Sequence, residues 1–410
     1  MSRPPSIGVL LLVCALLMSP ACGRRENTGN PEGMWYPEEI LSPAERREEV
    51  AQKLARVSAF LRRENLGGVL ISTAPNFAWI TSGADNSVSR RAIAAAVFVC
   101  DDGRQFLIGC GPQVERIARE AIEGPGCEIR AIPWAEAGAE RIDTEARALA
   151  GGRPYGSDAP SGAARLVDHD LAVLRVPLTD QEIREYRWLG KRSAEVLGDL
   201  CRRVEPGMTE RGIEALLAAG LMRHAIRPVT LRVAADARAR DYGPAPASEK
   251  TKVERSVLLG MTASRWGLQV RMARQVWFCP PGREIEKAVN AVSSVNAGFW
   301  ARTLPGATAG AILAGAAEDY ARAGCVPRPD GQGGAIGYLD PDWLARPGSA
   351  ELVRSGQTFA WSPSAGPVSV GDTILVVGDR LEVLTEIPGW PVIESRSLGR
   401  VYRTPAILVR

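Results

Sequence analysis

The residue types that could do chemistry in this chain are few and widely spaced. There are two histidines, His169 and His224, and neither accompanies a nucleophile signature, so a Ser-His-Asp or Cys-His arrangement is not predicted. Carboxylates suit hard cations such as calcium or magnesium. Aspartates of the C-terminal half could gather such a cation, although turns and helix caps also favour this residue type. The four candidates are Asp330, Asp340, Asp342 and Asp372.

Two capping boxes predict where the main positioning helices begin. Ser42 and Glu45 have the required spacing, with Pro43 at the first helical position. Thr179 and Glu182 repeat the pattern. Helices are predicted to follow residues 43 and 179, and to lie at 113–122, 210–223 and 285–299. Arg46-Arg47 and Arg62-Arg63 are expected on a solvated face of the first helix.

Short apolar runs bounded by turn residues predict the strands. They lie at 68–72, 95–100, 105–108, 256–263, 268–278, 374–377 and 381–384. The first three predict a mixed sheet with covering helices, and the last four predict two hairpins. The polar segments 74–76 and 85–87 are expected to be loops.

Composition sets the class of protein. The chain has 410 residues, of which 45% are hydrophobic and 24% charged, so it is long enough for two domains with sizeable cores. Fifty basic and 47 acidic residues give a net charge of +3. This near balance, without a basic stripe interleaved with aromatic residues, argues against a nucleic-acid partner.

Residues 1–21 have the pattern of a secretion signal. Arg3 precedes an apolar stretch at 7–18, and small residues follow at 19–21. The apolar stretch is shorter than the roughly 20 residues of an ordinary spanning helix. We therefore expect export.

Cys22 is the expected lipidation site. Followed by Gly23, it resembles a bacterial lipoprotein cleavage site, where the cysteine becomes lipid-modified. Ser19 stands where such sites usually have leucine, so simple secretion by cleavage near Ala21 and an uncleaved anchor remain alternatives. Residues 22–38 are predicted to be a tether. The expected location is the bacterial cell envelope, on a lipid-anchored membrane surface or in the periplasm.

The cysteines beyond residue 22 show no CxxC spacing. They are Cys100, Cys110, Cys127, Cys201, Cys279 and Cys325. Cys100 and Cys110 stand at the ends of two predicted neighbouring strands, so a bridge between them is one alternative. Buried free thiols are the preferred interpretation for most, because each lies in or beside an apolar segment.

Several motifs of the C-terminal half occur in an order that resembles a known family. They are residues 268–274 after Gly267, Gln332-Gly333-Gly334-Ala335-Ile336-Gly337-Tyr338, Trp361-Ser362-Pro363 and Gly371-Asp372-Thr373, preceded by 178–183 and 205–210. This order resembles the M24 family of creatinases, methionine aminopeptidases and prolidases, which have the pita-bread fold. The resemblance covers roughly residues 40 to 400. It implies an α/β (α+β) fold, with a creatinase-like N-terminal domain at 39–175 and a pita-bread domain at 176–410.

The resemblance also implies where the family's five metal ligands would fall. Its two aspartates lie eleven residues apart, the second three residues before the arginine that here is Arg274. The corresponding positions for the two aspartates, the histidine and the two glutamates are Gly260, Arg271, Gly331, Ser362 and Gly371. None is a good ligand. The family's pocket histidine, expected near 242–244, is also missing.

No metal and no cofactor are therefore expected. Two divalent ions about 4 Å apart need bridging carboxylates, and Arg271 adds a positive charge instead. Arg271 either meets a ligand's carboxylate or fills the vacated space with a salt bridge. The cleft candidates are Arg274, Asp372, Gln332 and Tyr338. The run 332–334 is too short for a phosphate loop and predicts a tight backbone path past the former metal site.

These observations favour an exported, lipid-anchored and non-catalytic protein, and they lead to a hypothesis for its function. It is a pseudopeptidase that binds a peptide or protein, such as a peptide end or a proline-containing segment, and reaches the membrane through its anchor. A homodimer is a further alternative. The rival hypothesis is an active Xaa-Pro aminopeptidase, prolidase or creatinase-like hydrolase with a non-standard site, and a third is a structural envelope lipoprotein.

Overall fold

The computed structural model describes residues 38–89, 92–122, 126–241, 246–327 and 331–410. The predicted signal peptide, Cys22 and nearly all of the predicted tether lie outside these ranges. Within them, no helix is long and apolar enough to cross a membrane.

The first half alternates short strands with helices. Its elements are α1 (Pro43–Arg63), β1 (Gly68–Ile71), α2 (Ala74–Ile80), β2 (Ser87–Ser89), β3 (Ala92–Ile93), β4 (Ala95–Cys100), β5 (Gln105–Cys110), α3 (Gly111–Glu120), β6 (Cys127–Ile132), α4 (Ala139–Leu149), β7 (Gly156–Ser157), β8 (Arg165–Leu166) and α5 (Asp168–Arg175). Six strands form one mixed sheet in the order β6-β5-β4-β1-β7-β8. The predicted mixed sheet is confirmed.

The second half is built on two sheets. Its elements are α6 (Asp180–Arg203), α7 (Glu210–Met222), β9 (Arg227–Ala235), α8 (Ala237–Asp241), β10 (Ser256–Arg265), β11 (Leu268–Trp277), α9 (Arg283–Arg302), α10 (Ala309–Arg322), β12 (Gly333–Ala335), β13 (Trp343–Leu344), β14 (Gln357–Trp361), β15 (Ser364–Ala365), β16 (Val368–Ser369), β17 (Asp372–Val377), β18 (Arg380–Val383), β19 (Val392–Ser397), β20 (Arg400–Pro405) and β21 (Leu408–Val409). One sheet has the order β21-β11-β10-β9 and the other β13-β12-β14-β17-β18. Their strands pair antiparallel, except that β21 pairs in parallel with β11. The α/β class is thus confirmed.

Local sequence explains why the two longest helices begin where they do. The side chain of Ser42 accepts a hydrogen bond from the backbone of Glu45, and the Glu45 side chain accepts one from the Ser42 backbone. Thr179 and Glu182 form the same reciprocal pair at the start of α6. Each box satisfies two backbone N–H groups that the first helical turn leaves without partners.

One hydrophobic cluster joins the two halves of the chain. It includes Val57 and Leu61 of α1, Val69 of β1, Leu189 of α6 and Met272 of β11, all fully buried. The predicted domain boundary at residue 175/176 falls between α5 and α6, and this cluster extends on both sides of it. Packing of α6 against β10 and β11 fixes the central hairpin on which the candidate site is built.

Three local expectations are wrong. Residues 74–76 open helix α2 rather than a loop, because Pro75 lies in its first turn and the side chains of 76–80 are buried. Residue 87 begins strand β2. Arg46 is not on a solvated face, since its guanidinium lies 3.1 Å from the buried carboxylate of Glu185.

A Cys100–Cys110 bridge is excluded by strand direction. The strands β4 and β5 are antiparallel neighbours, with Ala95 opposite Gly109 and Val99 opposite Gln105. Cys100 and Cys110 therefore stand at opposite ends of the strand pair. All six described cysteines are free thiols.

Candidate functional site

The face of the central sheet carries the first two predicted ligand positions. Gly260 of β10 is paired with Ala273 of β11, and Thr262 is paired with Arg271. On the other side of β10, Arg232 of β9 is opposite Gly260. Because paired residues point to the same face and alternate residues share a face, these five residues lie on one surface.

The second sheet brings the three remaining predicted ligand positions close to the first two. The backbone N–H of Ala273 donates to the carbonyl of Gly371 over 3.0 Å, which ties β11 to the start of β17. The Ser362 N–H donates to the Gln332 carbonyl over 2.8 Å. A Cβ on Gly371 would lie 3.1 Å from the Ser362 hydroxyl oxygen. Gly331, Ser362 and Gly371 are thereby brought together.

The two sheets enclose a cavity of about 220 Å³. Four of the five predicted ligand positions line it, and Gly371 adjoins it beside Ser362. The lining residues are Thr230, Arg232, Leu258, Gly260, Met261, Thr262, Arg271, Met272, Ala273, Gly331, Leu344, Ser362, Ser364 and Ser369. We refer to this space as the sheet cavity.

Close backbone packing accounts for the glycines after Gly331. A Cβ on Gly333 would lie 2.1 Å from the Ala360 carbonyl oxygen, and one on Gly334 would lie 2.1 Å from the Trp343 carbonyl oxygen. Gly333 also has a φ of +128°. The glycines therefore allow β12 to pass between β13 and β14, and this run is a structural crossing rather than a phosphate loop.

Arg271 is held inside the sheet cavity by an ion pair. Its Nη1 lies 3.0 Å from Asp340 Oδ1, and its Nη2 donates to the Ala360 carbonyl over 2.7 Å. Asp340 also accepts a 2.6 Å hydrogen bond from the Thr262 hydroxyl. Burial lowers the pKa of Arg271, and the charge of Asp340 opposes this effect. Of the two predicted roles for Arg271, the structure contains the salt bridge that fills the space.

Arg232 leaves the sheet cavity with a positive charge. Its side chain is exposed and makes no hydrogen bond or ion pair with any residue that the structure describes. The charge of Arg271 is largely offset by Asp340, whereas no described acidic residue pairs with Arg232 opposite Gly260. Among the residues that the structure describes, two arginines and no acidic residue line the cavity. An anionic group would therefore be attracted and an ammonium group repelled.

The donor atoms around the sheet cavity do not suit a pair of divalent cations. None of the fourteen lining residues carries a carboxylate, an imidazole or a thiolate. The oxygens available are neutral hydroxyls and carbonyls, which do not offset the repulsion between two metal ions. Within the described ranges, no group of three or more His, Cys, Asp or Glu residues is arranged to hold a metal ion.

The aspartates considered as a cation site are separated by individual arginine partners. Asp340 pairs with Arg271, Asp342 with Arg175 at 3.0 Å, and Asp372 with Arg274 at 2.7 Å. These carboxylates therefore do not converge. Asp330 and the expected position of the pocket histidine at 242–244 lie outside the described residues.

Arg274 and Asp372 do not line the sheet cavity. The Arg274 side chain is on the opposite face of β11, since it is three residues from Arg271 in a strand. Its Nη2 donates to Asp372 Oδ1 over 2.7 Å, and its Nη1 donates to the Gly371 carbonyl over 2.9 Å. Both residues are at most 2% exposed. Their pair holds β11 to β17, and burial raises the pKa of Asp372 against the attraction of Arg274.

Gln332 and Tyr338 are also directed away from the sheet cavity. The side-chain oxygen of Gln332 accepts a 2.7 Å hydrogen bond from the Tyr320 hydroxyl. Tyr338 is buried, and its hydroxyl donates to Glu182 over 2.6 Å. Neither histidine lines the cavity, and burial lowers the pKa of His224.

The sequence analysis missed a buried charge cluster beside Tyr338. Lys53 of α1 pairs with Glu49 and, at 3.0 Å, with Glu182 of α6, and all three side chains are at most 1% exposed. Burial raises the pKa of nearby Glu185 to about 8. A signal was present, because Glu49 and Lys53 continue the spacing of Val57 and Leu61 along the buried face of α1.

Both the sequence and the structure of this chain are similar to those of known proteins. The sequence model of metallopeptidase family M24 matches residues 184–389, half of the chain. Comparison with curated protein sequences gives no match. Among solved structures, dipeptidase PepE from Mycobacterium ulcerans superposes with a TM-score of 0.72 at 15% identity, covering 90% of this chain and 99% of that one.

Two further structures have the same fold at similar distance. The prolidase from Thermococcus sibiricus gives a TM-score of 0.70 at 15% identity, over 82% of this chain and 97% of that one. The N-terminal domain of FACT complex subunit SPT16 from Cicer arietinum (chickpea) gives 0.62 at 13% identity, over 83% and 97%. At these identities the structural likeness establishes the fold alone. With the family match, it leads to one conclusion: this chain is a member of the M24 metallopeptidase family with the pita-bread fold.

Proposed function

We propose that this protein is a non-catalytic M24 relative that binds the end of a peptide or protein in the sheet cavity. The observation that carries the proposal is the Arg271–Asp340 ion pair, which stands where the family resemblance expects a metal-binding aspartate. The Arg271 guanidinium is fixed in position here by a carboxylate and a backbone carbonyl.

Charge makes metal-dependent hydrolysis at this position unfavourable. At an effective dielectric near 20, a unit positive charge about 4 Å from a divalent ion costs about 8 kcal/mol, twice the figure for two unit charges. Gly260, Gly331, Ser362 and Gly371 supply no anionic side chain to offset it. A metal-free hydrolase of this fold would need a general base, and neither His169 nor His224 lines the cavity.

The cavity's lining favours a carboxylate as the group that enters. Arg232 supplies a positive charge that no described carboxylate offsets, and serine and threonine hydroxyls can donate hydrogen bonds to an anion. Leu258 and Leu344 add apolar surface for one side chain. The volume of about 220 Å³ is below the range of roughly 300–1,000 Å³ typical of drug-sized ligands. A terminal residue therefore fits better than a whole ligand.

The similar structures support this proposal. Two of the similar structures are named as a dipeptidase and a prolidase, and a third is a domain of a FACT complex subunit. The fold therefore occurs both in peptidases and in a part of a multi-subunit complex. Peptide or protein binding by this chain would retain the cleft and dispense with the metals.

Two assays on the purified protein test the proposal. Elemental analysis after incubation with manganese, cobalt and zinc is expected to find no stoichiometric metal, and Xaa-Pro dipeptides are expected to remain intact. About two bound ions with turnover would instead establish an enzyme and overturn the ligand positions assigned above.

A binding experiment tests the ligand's polarity. A fluorescent peptide library with free C-terminal carboxylates is expected to bind better than the same library with C-terminal amides. Arg232→Met should weaken the carboxylate library by about tenfold, as expected for loss of a charged hydrogen bond. Arg346→Met, which removes an exposed arginine outside the cavity, serves as the matched control. Equal binding of acid and amide libraries would contradict the proposal.

We also propose that the protein is exported and lipid-anchored through Cys22. The support is the signal-like pattern of residues 1–21 and the Cys22-Gly23 pair. In a bacterial host, Cys22→Ser is expected to move the protein from the membrane fraction to the soluble envelope fraction. Unchanged membrane association of this variant would contradict lipid anchoring and favour an uncleaved anchor.

A further inference from the structure

A second and larger cavity lies away from the sheet cavity, between the strands β18 and β20. Its volume is about 470 Å³. The lining residues are Arg274, Trp300, Leu304, Asp372, Arg380, Leu381, Val383, Glu386, Ile387, Trp390, Val392, Arg400, Val401, Tyr402, Arg403 and Pro405. We call this space the edge groove.

Two unpaired strand edges border the edge groove. The strand β18 is the last strand of the five-stranded sheet, and β20 pairs with β19 alone. Within the described part of the chain, no further strand pairs with either of them. Each edge therefore presents backbone N–H and C=O groups that an additional strand could bond.

Both edges lie over the same helix. The hairpin β19–β20 packs on α9, and Leu381, Val383 and Tyr402 pack against the cluster that contains Trp300 of α9. The rings of Trp300 and Tyr402 lie 6.3 Å apart in an edge-to-face arrangement. Val401 is 51% exposed at the groove. A strand placed here would complete one continuous layer across α9 and cover this apolar surface.

The charge of the edge groove is positive. Arg380 and Arg403 are exposed and have no side-chain partner among the residues that the structure describes. Arg400 donates only to a backbone carbonyl, that of Asp379, over 3.1 Å. Against these three arginines the groove offers Glu386, since Asp372 is already paired with Arg274. Charged side chains on an edge strand discourage pairing with most other strands. Because the charges here are arginines, an acidic strand would be attracted instead of repelled.

We infer that the edge groove binds an extended acidic segment of a partner protein, which adds as a strand between β18 and β20. Backbone hydrogen bonds to the two edges would provide the affinity, and the arginines would select acidic side chains. A strand added to either edge would lie about 4.8 Å from that edge and bond its backbone groups. The inference does not depend on the function proposed for the sheet cavity, because the two spaces share no lining residue.

The test uses the full chain and a labelled octapeptide of alternating threonine and glutamate, with the threonine–lysine octapeptide as its counterpart. The acidic peptide is expected to bind, more weakly as salt is raised, and the basic peptide is not. The double variant Arg380→Glu/Arg403→Glu should weaken the acidic peptide by about fivefold or more. Arg346→Glu makes the same charge change on an exposed residue outside the groove and should leave binding unchanged.

Hydrogen exchange distinguishes strand addition from simple charge attraction. On adding the acidic peptide, amide exchange is expected to slow at 380–383 and at 400–405 together. Binding without slower exchange at both edges would overturn the inference, as would no binding or equal binding of the two peptides. Protection of both edges before any peptide is added would assign the groove to this chain or to a second copy, and would also overturn it.

Discussion

Two arginines three residues apart on β11 form ion pairs with aspartates in different environments. One pair is buried and the other lies beside a cavity. Arg274 and Asp372 form a pair that is at most 2% exposed on either side, with the Asp372 carboxylate also accepting from Thr385 over 2.7 Å. Arg271 and Asp340 form a pair beside an open cavity, where the Arg271 side chain is 22% exposed. The same strand thus carries one pair in each face of the sheet.

The buried pair stabilises the fold, whereas the pair beside the cavity lies where a ligand could bind. In the family resemblance, Arg274 and Asp372 stand at motif positions that this chain retains, and their pair joins β11 to β17. Arg271 stands at a position where the resemblance expects an aspartate. The buried face carries a pair that joins two strands, while the cavity face carries a pair that neutralises itself and leaves Arg232 without a described ion-pair partner.

Breaking the buried pair is expected to have the largest effect. Arg274→Met leaves the Asp372 carboxylate buried without its cation, which should lower the free energy of unfolding by about 3–5 kcal/mol. Urea denaturation followed by circular dichroism measures the change. The double variant Arg274→Met/Asp372→Asn should be more stable than Arg274→Met, because no uncompensated charge remains. A loss below about 1 kcal/mol for Arg274→Met would remove the contrast between the two faces.

A third arginine–carboxylate pair extends the comparison, because burial affects the pKa of its carboxylate more than the attraction of the arginine does. Glu185 lies 3.1 Å from Arg46 and shares its surroundings with Glu49, Lys53 and Glu182. Burial raises the pKa of Glu185 from 4.5 to about 8. The folded state therefore holds a proton there that the unfolded state releases. The stability contributed by this group is complete below about pH 4.5 and is lost as the pH rises through about 8.

The expected pH effect follows from that sign. Between pH 6 and pH 9 the free energy of unfolding should fall by about 3 kcal/mol through Glu185. Glu185→Gln, which mimics the protonated carboxyl, should flatten this decline. Denaturation at both pH values measures the effect, with Glu195→Gln, which alters a partly exposed carboxylate of the same helix, as the control. An equal slope in Glu185→Gln and the unaltered protein would refute the assignment.

How much of this could be predicted from sequence depends on the distance over which each interaction acts. The starts of α1 and α6 are set by residues three apart, and Ser42 and Thr179 identified both. The hairpin β10–β11 follows from two apolar runs and the turn at Trp266-Gly267. Motif order then predicted the ligand positions, four of which the structure brings together around one cavity.

What the sequence did not predict are contacts between distant segments. Nothing near Arg271 in sequence indicates Asp340 as its partner, since the two meet only when β12 packs beside β14. Tyr338 is close to the glycine run in sequence, yet it lies in a bend after β12 and its hydroxyl donates to Glu182, away from the cavity. The segment 74–76 predicts a loop because proline is common in turns, but Pro75 occupies the first turn of helix α2.

The cavity-face pair should tolerate removal of its arginine better than the buried pair. In Arg271→Met, water from the cavity can reach Asp340, and the Thr262 hydroxyl still donates to it. We expect a loss of about 1–2 kcal/mol in the free energy of unfolding, roughly half or less of the loss for Arg274→Met. The same urea denaturation compares the two variants directly. Equal losses would mean that the cavity gives Asp340 no solvation.

Restoring carboxylates on the cavity face should produce the smallest effect and the most specific one. A Cβ on Gly260 meets nothing closer than 3.6 Å, so Gly260→Asp fits without displacing the backbone. Combined with Arg271→Asp, it removes the positive charge and gathers two new carboxylates beside Asp340, the kind of oxygen ligands that Mn²⁺ takes.

The double variant is therefore expected to gain about 1 kcal/mol of stability in Mn²⁺ at tenfold its dissociation constant, seen as a rise in Tm that chelator reverses. The unaltered protein and Arg271→Met should show no such rise, since neither adds a carboxylate to the cavity. A rise of equal size in the unaltered protein would mean that metal binds elsewhere in this chain. No rise in the double variant would mean that the histidine and glutamate positions, Gly331, Ser362 and Gly371, are needed as well, and that Arg271 is one of several independent barriers to metal binding.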